Sequence, residues 1–193
     1  MPGLPESLPR YRSLRTLNAE MRCCTRCDLA PRRTQVVRGV GPKSARVLFL
    51  GEAPGASEDR AGEPFVGAAG RLLDRLLEQA GLERADVYIT NVVACRPPQN
   101  RNPRAAEVRA HAPWLAEQLR IVGPEVVVTL GRIALLWFIP GAKVTELSGR
   151  VRDVEWNGRS VRLLPLFHPA AALRTRSLLP ELEAGFAVLK SLL

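Results

Sequence analysis

Lysine is nearly missing from this sequence, although the chain is strongly basic. Only three of its 28 basic residues are lysines, yet the net charge is +9 and the pI about 10.4. Arginine therefore carries almost all of the positive charge, and its planar guanidinium binds phosphate oxygens in pairs. This composition favours a polyanionic partner such as nucleic acid, but an arginine-rich proteome would produce the same balance.

Long apolar runs and a secretory signal are absent as well. No stretch approaches the roughly 18 uninterrupted apolar residues of a membrane span. The N-terminus, MPGLPESLPRYRSLR, lacks the apolar core of a signal peptide. We therefore expect a cytoplasmic protein without a membrane partner. The 193 residues suffice for one ordinary domain. We expect residues 1–11 to form a flexible leader and residues 12–193 a single domain.

Cysteine is scarce, and its placement is informative. The four cysteines are Cys23, Cys24, Cys27 and Cys95. Disulfides are disfavoured in a cytoplasmic protein, so the Cys24-Thr-Arg-Cys27 pair indicates metal binding or redox chemistry. Cys95 begins a basic, proline-rich loop, CRPPQNRNP. With Cys24 and Cys27 it supplies three thiolates, and one more ligand would complete a four-coordinate site. Three buried thiols are the alternative, but the polar neighbours at both places argue against simple packing.

Short apolar runs alternate with helical patterns along the chain. The predicted strands are Ala45–Leu50, Val87–Val93, Glu125–Leu130 and Val161–Phe167. The predicted helices are Leu14–Arg22, Val66–Ala80, Arg104–Ile121, Arg132–Ile139 and Pro180–Leu193. This order predicts an α/β fold of three layers, αβα, around a central four-stranded, mostly parallel, twisted sheet.

Residues suited to chemistry follow three of the predicted strands. Gly51-Glu-Ala-Pro-Gly55 follows the first, Asn91 lies late in the second, and His168 follows the last. Ligands of such sheets bind beyond the carboxyl ends of the strands, so these residues are predicted to meet there. Each alone also has a structural explanation: a capped loop with solvated carboxylates, a core asparagine and a structural histidine.

Six short motifs follow one another along the chain: CxxCxL (Cys24–Leu29), GEAPG followed by Glu58 and Asp59, PFVG (Pro64–Gly67), Asn91 with CRPPQNR (Cys95–Arg101), LG (Leu130 and Gly131) and FHPA (Phe167–Ala170). In this order, and from about Cys24 to the C-terminus, the sequence closely resembles the family 4 uracil-DNA glycosylases. The resemblance implies a monofunctional DNA glycosylase. Such an enzyme flips uracil out of DNA, hydrolyses its N-glycosidic bond and leaves an abasic site, initiating base excision repair. No lysine lies near these motifs, so we expect no Schiff-base step.

The resemblance also implies a role for each pocket residue. Glu52 would orient the attacking water and counter the positive charge on the sugar, and His168 would stabilise the charge that develops on uracil O2. Phe65 would lie against the flipped base. The Asn91 amide would bond uracil O4 and N3–H, which a cytosine edge does not satisfy in the same way. The other implied substrate-binding residues are Gly51, Ala53, Gly55 and Glu58.

Further residues are implied to contact DNA, either single- or double-stranded. Leu173 would fill the gap left by the flipped base, and Arg174 would contact phosphate. A surface turn with one exposed leucine is the alternative. The basic loop would bring Arg96 and Arg101 near DNA. We expect the protein to be a monomer.

One position departs from the family pattern. The family holds a 4Fe-4S cluster with four cysteines, and the position of the fourth is His111 here. The sequence leaves four alternatives: His111 completes the cluster with Cys24, Cys27 and Cys95; Cys23 shifts in as the ligand; the same site holds zinc; or the site is empty. In the first three, the metal site is expected to tie the N-terminal segment to the sheet.

Two functions from other classes compete with the enzyme. A DNA-binding module that has lost catalysis would keep the arginines and the metal site but lose the pocket. A small electron-transfer protein would need only the metal site. Glu52, Phe65, Asn91 and His168 are all present, which favours the glycosylase.

Overall fold

A central sheet of five strands organises the chain. The computed structural model describes residues 10–156 and 158–193, so the predicted leader lies outside the described residues except for its last two positions. The strands are Val47–Gly51 (β1), Tyr88–Asn91 (β2), Val126–Leu130 (β3), Arg152–Trp156 (β4) and Arg159–Leu166 (β5). Their spatial order is β2-β1-β3-β5-β4. All neighbouring pairs are parallel except β4, which is antiparallel to β5.

Four of these strands confirm the predicted sheet, and β4 is an addition. The first three strands in sequence are buried along their whole length, which explains why each is a short apolar run. In contrast, most of β4 is exposed, and its sequence RDVEW is largely charged. An edge strand with charged side chains lacks the apolar pattern from which a strand is recognised, so β4 was not predicted.

The register of the sheet aligns the strand ends at one edge. Gly51 pairs with Asn91, and Leu130 pairs with Leu166. The residues that follow these positions therefore leave the sheet side by side, as the carboxyl ends of parallel strands must. This edge brings Glu52 and His168 near Asn91.

Eight helices cover the sheet and its ends in the described part of the chain. They are Leu14–Arg22 (α1), Ala56–Ala61 (α2), Ala68–Ala80 (α3), Ala105–Val122 (α4), Arg132–Phe138 (α5), Val144–Leu147 (α6), Pro169–Arg174 (α7) and Leu179–Ser191 (α8). Short 3-10 turns occupy Ala30–Arg32, Arg84–Asp86, Pro98–Asn100 and Arg176–Leu178. The predicted α/β fold is confirmed, with one strand more than expected. No helix of the described residues has the length and apolar character needed to cross a membrane.

Apolar side chains fill the space on both faces of the sheet. On one face, α4 and α5 contribute Leu115, Leu119 and Leu135 to the core. On the other, α3 and α8 contribute residues such as Leu73 and Phe186, whose ring stacks on Phe49 of β1 at 5.8 Å. Each fully buried side chain of this kind stabilises the fold by about 1.5–3 kcal/mol, so the packing on both faces stabilises the sheet that carries the site.

A third apolar cluster attaches the N-terminal segment to α4. Leu17 and Met21 of α1 are fully buried against Trp114 and its neighbours. The buried carboxylate of Glu117 accepts a hydrogen bond of 2.9 Å from the backbone N–H of Tyr11, and Arg120 donates one of 2.6 Å to the Tyr11 carbonyl. The segment that carries the first cysteines is thereby fixed beside α4.

Candidate active site

A cavity of about 320 Å³ lies at the carboxyl edge of the sheet. Its size is in the range of small-ligand pockets. Most of the predicted catalytic and substrate-binding residues line it together. The lining residues are Glu52, Ala53, Pro54, Gly55, Glu58, Phe65, Ala69, Asn91, Pro97, Asn100, Arg101, Asn102, His168, Ala170 and Arg174. Segments more than 100 residues apart in sequence therefore converge here.

Asn91 presents an unpartnered amide to this cavity. The residue is buried, with 6% of its surface exposed, and none of the hydrogen bonds found in the described part of the chain uses its side chain. A buried amide normally has partners, so the donor and acceptor of this one are available on the wall of the cavity. Gly51 makes the placement possible, because a Cβ there would collide with Asn91 Oδ1 and lie 2.7 Å from the Phe65 ring.

Phe65 and His168 form the aromatic wall of the cavity. Their ring centroids are 5.4 Å apart, and their planes differ by 22°. Phe65 has a φ of 53°, a left-handed conformation that costs an L-residue roughly 1–2 kcal/mol. Strained residues of this kind cluster at functional sites, where the surrounding structure holds them.

His168 is held as a neutral imidazole of one tautomer. Burial lowers the pKa of His168 from 6.5 to about 4, the charge of Arg174 lowers it as well, and Glu58 opposes the shift. Nδ1 accepts a hydrogen bond of 3.1 Å from the backbone N–H of Ala170, so His168 caps α7. In a neutral ring whose Nδ1 is the acceptor, the proton lies on Nε2. His168 therefore offers an N–H donor and no charge.

Glu52 is a half-buried carboxylate at the same edge. Burial raises its pKa above the ordinary value of 4.5, and the nearby Arg132 guanidinium partly opposes this. A carboxylate with a raised pKa is a stronger base than a solvated one. Arg132, at the start of α5, has no sequence motif that would have drawn attention to it.

Of the four predicted DNA-contacting residues, Arg101 and Arg174 line the cavity, whereas Leu173 and Arg96 do not. Leu173 is 46% exposed and is one of three large exposed apolar side chains among the described residues. Arg174 is exposed and lines the cavity. The guanidinium of Arg101 donates to the buried carboxylate of Glu107 at 2.8 Å, and Arg96 donates to Asn100 Oδ1 at 2.8 Å. Arg101 therefore connects its loop to α4, and Arg96 makes a hydrogen bond within the loop.

Three cysteines and His111 gather on the side of α4 that faces the N-terminal segment. Cys24 and Cys95 are buried and Cys27 half-buried, whereas Cys23 is exposed. His111 Nε2 lies 3.5 Å from Cys95 Sγ. Burial raises the pKa of Cys95 to about 11; Arg33 lowers it, and the charges of Cys27 and Cys24 raise it. Among the described residues, no three Cys, His, Asp or Glu side chains converge closely enough to hold a single metal ion.

Two neighbours of these cysteines were not predicted from the sequence. The indole N–H of Trp114 donates to Cys24 Sγ at 3.3 Å, and Arg33 Nη1 donates to Cys95 Sγ at 3.5 Å. Sulfur is a weak acceptor as a thiol and a better one as a thiolate. Both contacts depend on how α4 and the N-terminal segment pack, for which the sequence has no local signal.

The fold and the cavity together define an α/β protein with a pocket of small-ligand size at the carboxyl edge of its sheet. The model of the uracil DNA glycosylase superfamily matches residues 38–189. Two curated relatives are similar over most of their length. The type-4 uracil-DNA glycosylase of Archaeoglobus fulgidus is 44% identical over 179 residues, 90% of each chain, and that of Thermotoga maritima is 44% identical over 168 residues, 87% of each chain.

The type-4 uracil-DNA glycosylase of Sulfurisphaera tokodaii is 39% identical over 186 residues, which are 93% of this chain and 84% of the relative. The chain belongs to the uracil DNA glycosylase superfamily and, within it, to the type-4 uracil-DNA glycosylases.

Proposed function

We propose that this protein is a monofunctional uracil-DNA glycosylase, which hydrolyses the N-glycosidic bond of a flipped uracil and leaves an abasic site. The chain's membership of the type-4 family supports uracil excision in DNA repair. The observation that carries the proposal in this structure is the unpartnered Asn91 amide, which lies in one cavity with Phe65, Glu52 and His168. We expect a monomer acting on single- or double-stranded DNA.

Recognition of the base would depend on Asn91 and Phe65. The carboxamide N–H donates to uracil O4 and its oxygen accepts from N3–H, whereas cytosine presents an amino group and a bare N3 at the same positions. A mismatched edge leaves buried polar groups unpaired, which is costly enough to enforce selectivity. The Phe65 ring supplies the apolar surface against which the flipped base lies.

Cleavage would depend on His168 and Glu52. As the bond to the sugar breaks, negative charge grows on the uracil, and the neutral His168 donates its Nε2–H to O2. Positive charge grows on the sugar at the same time, and the Glu52 carboxylate opposes it and orients the attacking water. Among the residues that the structure describes, no lysine lines the cavity, which supports direct hydrolysis without a covalent intermediate.

The cysteine site supports a 4Fe-4S cluster held by Cys24, Cys27, Cys95 and His111. A set of three thiols and one imidazole is compatible with an iron–sulfur cluster. The resemblance to the family 4 enzymes, which hold a 4Fe-4S cluster, favours the cluster over zinc at this site. When bound, the cluster would link the N-terminal segment, which carries Cys24 and Cys27, to His111 of α4.

His111 is oriented as a nitrogen ligand would be. Its Nδ1 lies 2.8 Å from the Glu107 carbonyl, which can only accept, so Nδ1 carries the proton. Burial lowers the pKa of His111, which keeps the ring neutral and leaves Nε2 with a free lone pair. Metal-bound histidines commonly have their other nitrogen fixed in this way.

Substituting His111 tests the ligand set. With iron and zinc measured on anaerobically purified protein, we expect wild type and His111→Cys to contain iron and His111→Ala to lose most of it. We also expect His111→Cys to have a lower reduction potential than wild type, because imidazole in place of thiolate raises the potential of such clusters. A colourless, zinc-loaded wild type contradicts the cluster. Full iron content and an unchanged potential in His111→Ala contradict the role of His111.

The excision assay tests the proposed function. We expect the protein to convert a uracil-containing oligonucleotide into an alkali-labile abasic product, with no strand cleavage before alkali treatment. Matched oligonucleotides with cytosine or thymine at the same position serve as controls and should remain intact. Borohydride should trap no protein–DNA adduct, since no lysine attacks the sugar. If wild type excises uracil and a Glu52→Gln variant does so at the same rate, the catalytic role assigned to Glu52 is refuted.

A further inference from the structure

The backbone that carries Phe65 is strained and closely confined. Phe65 is one of three non-glycine residues with positive φ among the described residues. Its carbonyl lies against the first turn of α3, where a Cβ on Gly70 would collide with the Phe65 carbonyl oxygen. Phe65 is 5% exposed and lines the cavity. A strained residue persists only if neighbouring groups hold it, so this loop needs an anchor.

Glu58 supplies that anchor with both of its carboxylate oxygens. Oε1 accepts hydrogen bonds from the backbone N–H groups of Val66 at 3.1 Å and Gly67 at 2.8 Å, the two residues after Phe65. Oε2 accepts one of 3.1 Å from the N–H of Gly55, in the loop that follows Glu52. One carboxylate therefore joins the loop of Phe65 to the loop of Glu52. Hydrogen bonds to an ionised acceptor are about twice as strong as neutral ones.

The surroundings of Glu58 are shaped for this contact. A Cβ on Gly55 would lie 2.8 Å from Oε2, and a Cβ on Gly67 would lie 3.1 Å from Oε1, so both glycines leave room for the carboxylate. The next residue, Asp59, is buried and accepts hydrogen bonds from the backbone N–H of Thr34, the shorter at 2.9 Å. Asp59 thus fastens helix α2 to the segment that contains Thr34, and Glu58 extends from this fixed helix.

We propose that Glu58 is a positioning residue, which fixes Phe65 against the base by binding the backbone on both sides of the pocket and does not itself bind uracil. The proposal rests on the proposed excision of uracil. It differs from the role that the sequence resemblance implies for Glu58, which is direct contact with the substrate. Glu58 does line the cavity and its charge does act on His168, so an experiment has to separate the two roles.

A double-mutant cycle between Glu58 and Phe65 makes this separation. The measured quantities are the single-turnover excision rate, the half-saturating enzyme concentration and the inhibition constant of free uracil. We expect Glu58→Ala to weaken uracil inhibition and excision about tenfold or more, but to add less than about threefold in a Phe65→Ala background, because residues that act as a unit are not additive. Additive losses would show that Glu58 binds uracil directly and would overturn the proposal.

Two further variants control for folding and charge. Glu63→Ala removes an exposed carboxylate from the same loop and should match wild type. Glu58→Gln keeps one oxygen for Val66 and Gly67 but turns an NH₂ group towards the N–H of Gly55, so its activity should lie between wild type and Glu58→Ala. Glu58→Gln that is no better than Glu58→Ala would overturn the proposal. If Glu58→Ala melts below the assay temperature, the cycle is run with Glu58→Gln.

The activity of wild type shows whether the proposed function or only the proposed role of Glu58 fails. A wild type that leaves uracil oligonucleotides intact refutes the proposed function. A wild type that excises uracil, with additive losses in the cycle, refutes only the positioning role of Glu58.

Discussion

We expect the replacement of Asn91 by aspartate to lower uracil excision about 1000-fold, because the variant keeps the shape of the side chain and loses its donor. A carboxylate offers only acceptors, so it faces uracil O4 with like charge where the amide donated a hydrogen bond. Asn91 is 6% exposed, and water has little access to relieve the mismatch. Sites built to bond a polar substrate edge discriminate by factors of about 10⁴ for this reason.

Alanine at the same position is the matched comparison. Asn91→Ala loses the hydrogen bonds without adding repulsion, so we expect a smaller loss, about 100-fold. The measurement is the single-turnover rate at saturating enzyme, with the melting temperature of each variant as the control for folding. If Asn91→Asp excises uracil within about tenfold of the wild-type rate, the Asn91 amide does not recognise uracil in the proposed way.

The buried strands could be predicted from the sequence because each is determined by a local pattern. Strands β1 and β3 are short apolar runs; β1 ends at Gly51, β3 is followed by Gly131, and both faces of the sheet are covered. Strand β4 lacks that pattern because its side chains are mostly exposed. Helix α2 is only six residues long, too short for a helical period to be recognised.

The residues of the cavity could be predicted for a different reason. Colinear motifs named Glu52, Phe65, Asn91 and His168, and the alignment of parallel strand ends implies that such residues meet at one edge. The structure brings all four to one cavity. Their roles remain predictions, which the substitutions proposed for them test.

The partners of the site residues could not be predicted, since they depend on packing between distant segments. The motifs do not show that the Glu58 carboxylate is occupied by three backbone donors, or that Arg101 is bound to Glu107. They also do not place Trp114 beside Cys24, 90 positions earlier in the chain. Such contacts decide which polar groups are free to bind substrate.

The acid limb of the pH–rate profile is expected to belong to Glu52 and not to His168. Burial raises the pKa of Glu52 above 4.5, whereas burial lowers that of His168 from 6.5 to about 4. As the pH falls from neutrality, Glu52 therefore takes up a proton before His168 does. A protonated Glu52 no longer orients water or opposes the charge on the sugar, so the rate should fall with a midpoint above pH 4.5.

Three substitutions assign this limb. Glu52→Gln should lower the plateau rate about 100-fold and abolish the limb, because no titrating carboxylate remains. His168→Gln should also lower the plateau about 100-fold, through the lost hydrogen bond to O2, but leave the midpoint unchanged. Arg132→Gln should move the midpoint to higher pH, because the guanidinium of Arg132 lowers the pKa of Glu52. Arg75→Gln, an exposed arginine on α3, is the matched control.

Salt provides an independent check on the Arg132 effect. Because Arg132 is exposed, its influence on Glu52 is screened by mobile ions, and raising the ionic strength should move the wild-type midpoint towards that of Arg132→Gln. The burial contribution to the Glu52 pKa does not depend on salt, so the midpoint should stay above 4.5 under all conditions. If the acid limb disappears in His168→Gln or persists in Glu52→Gln, its assignment to Glu52 is wrong.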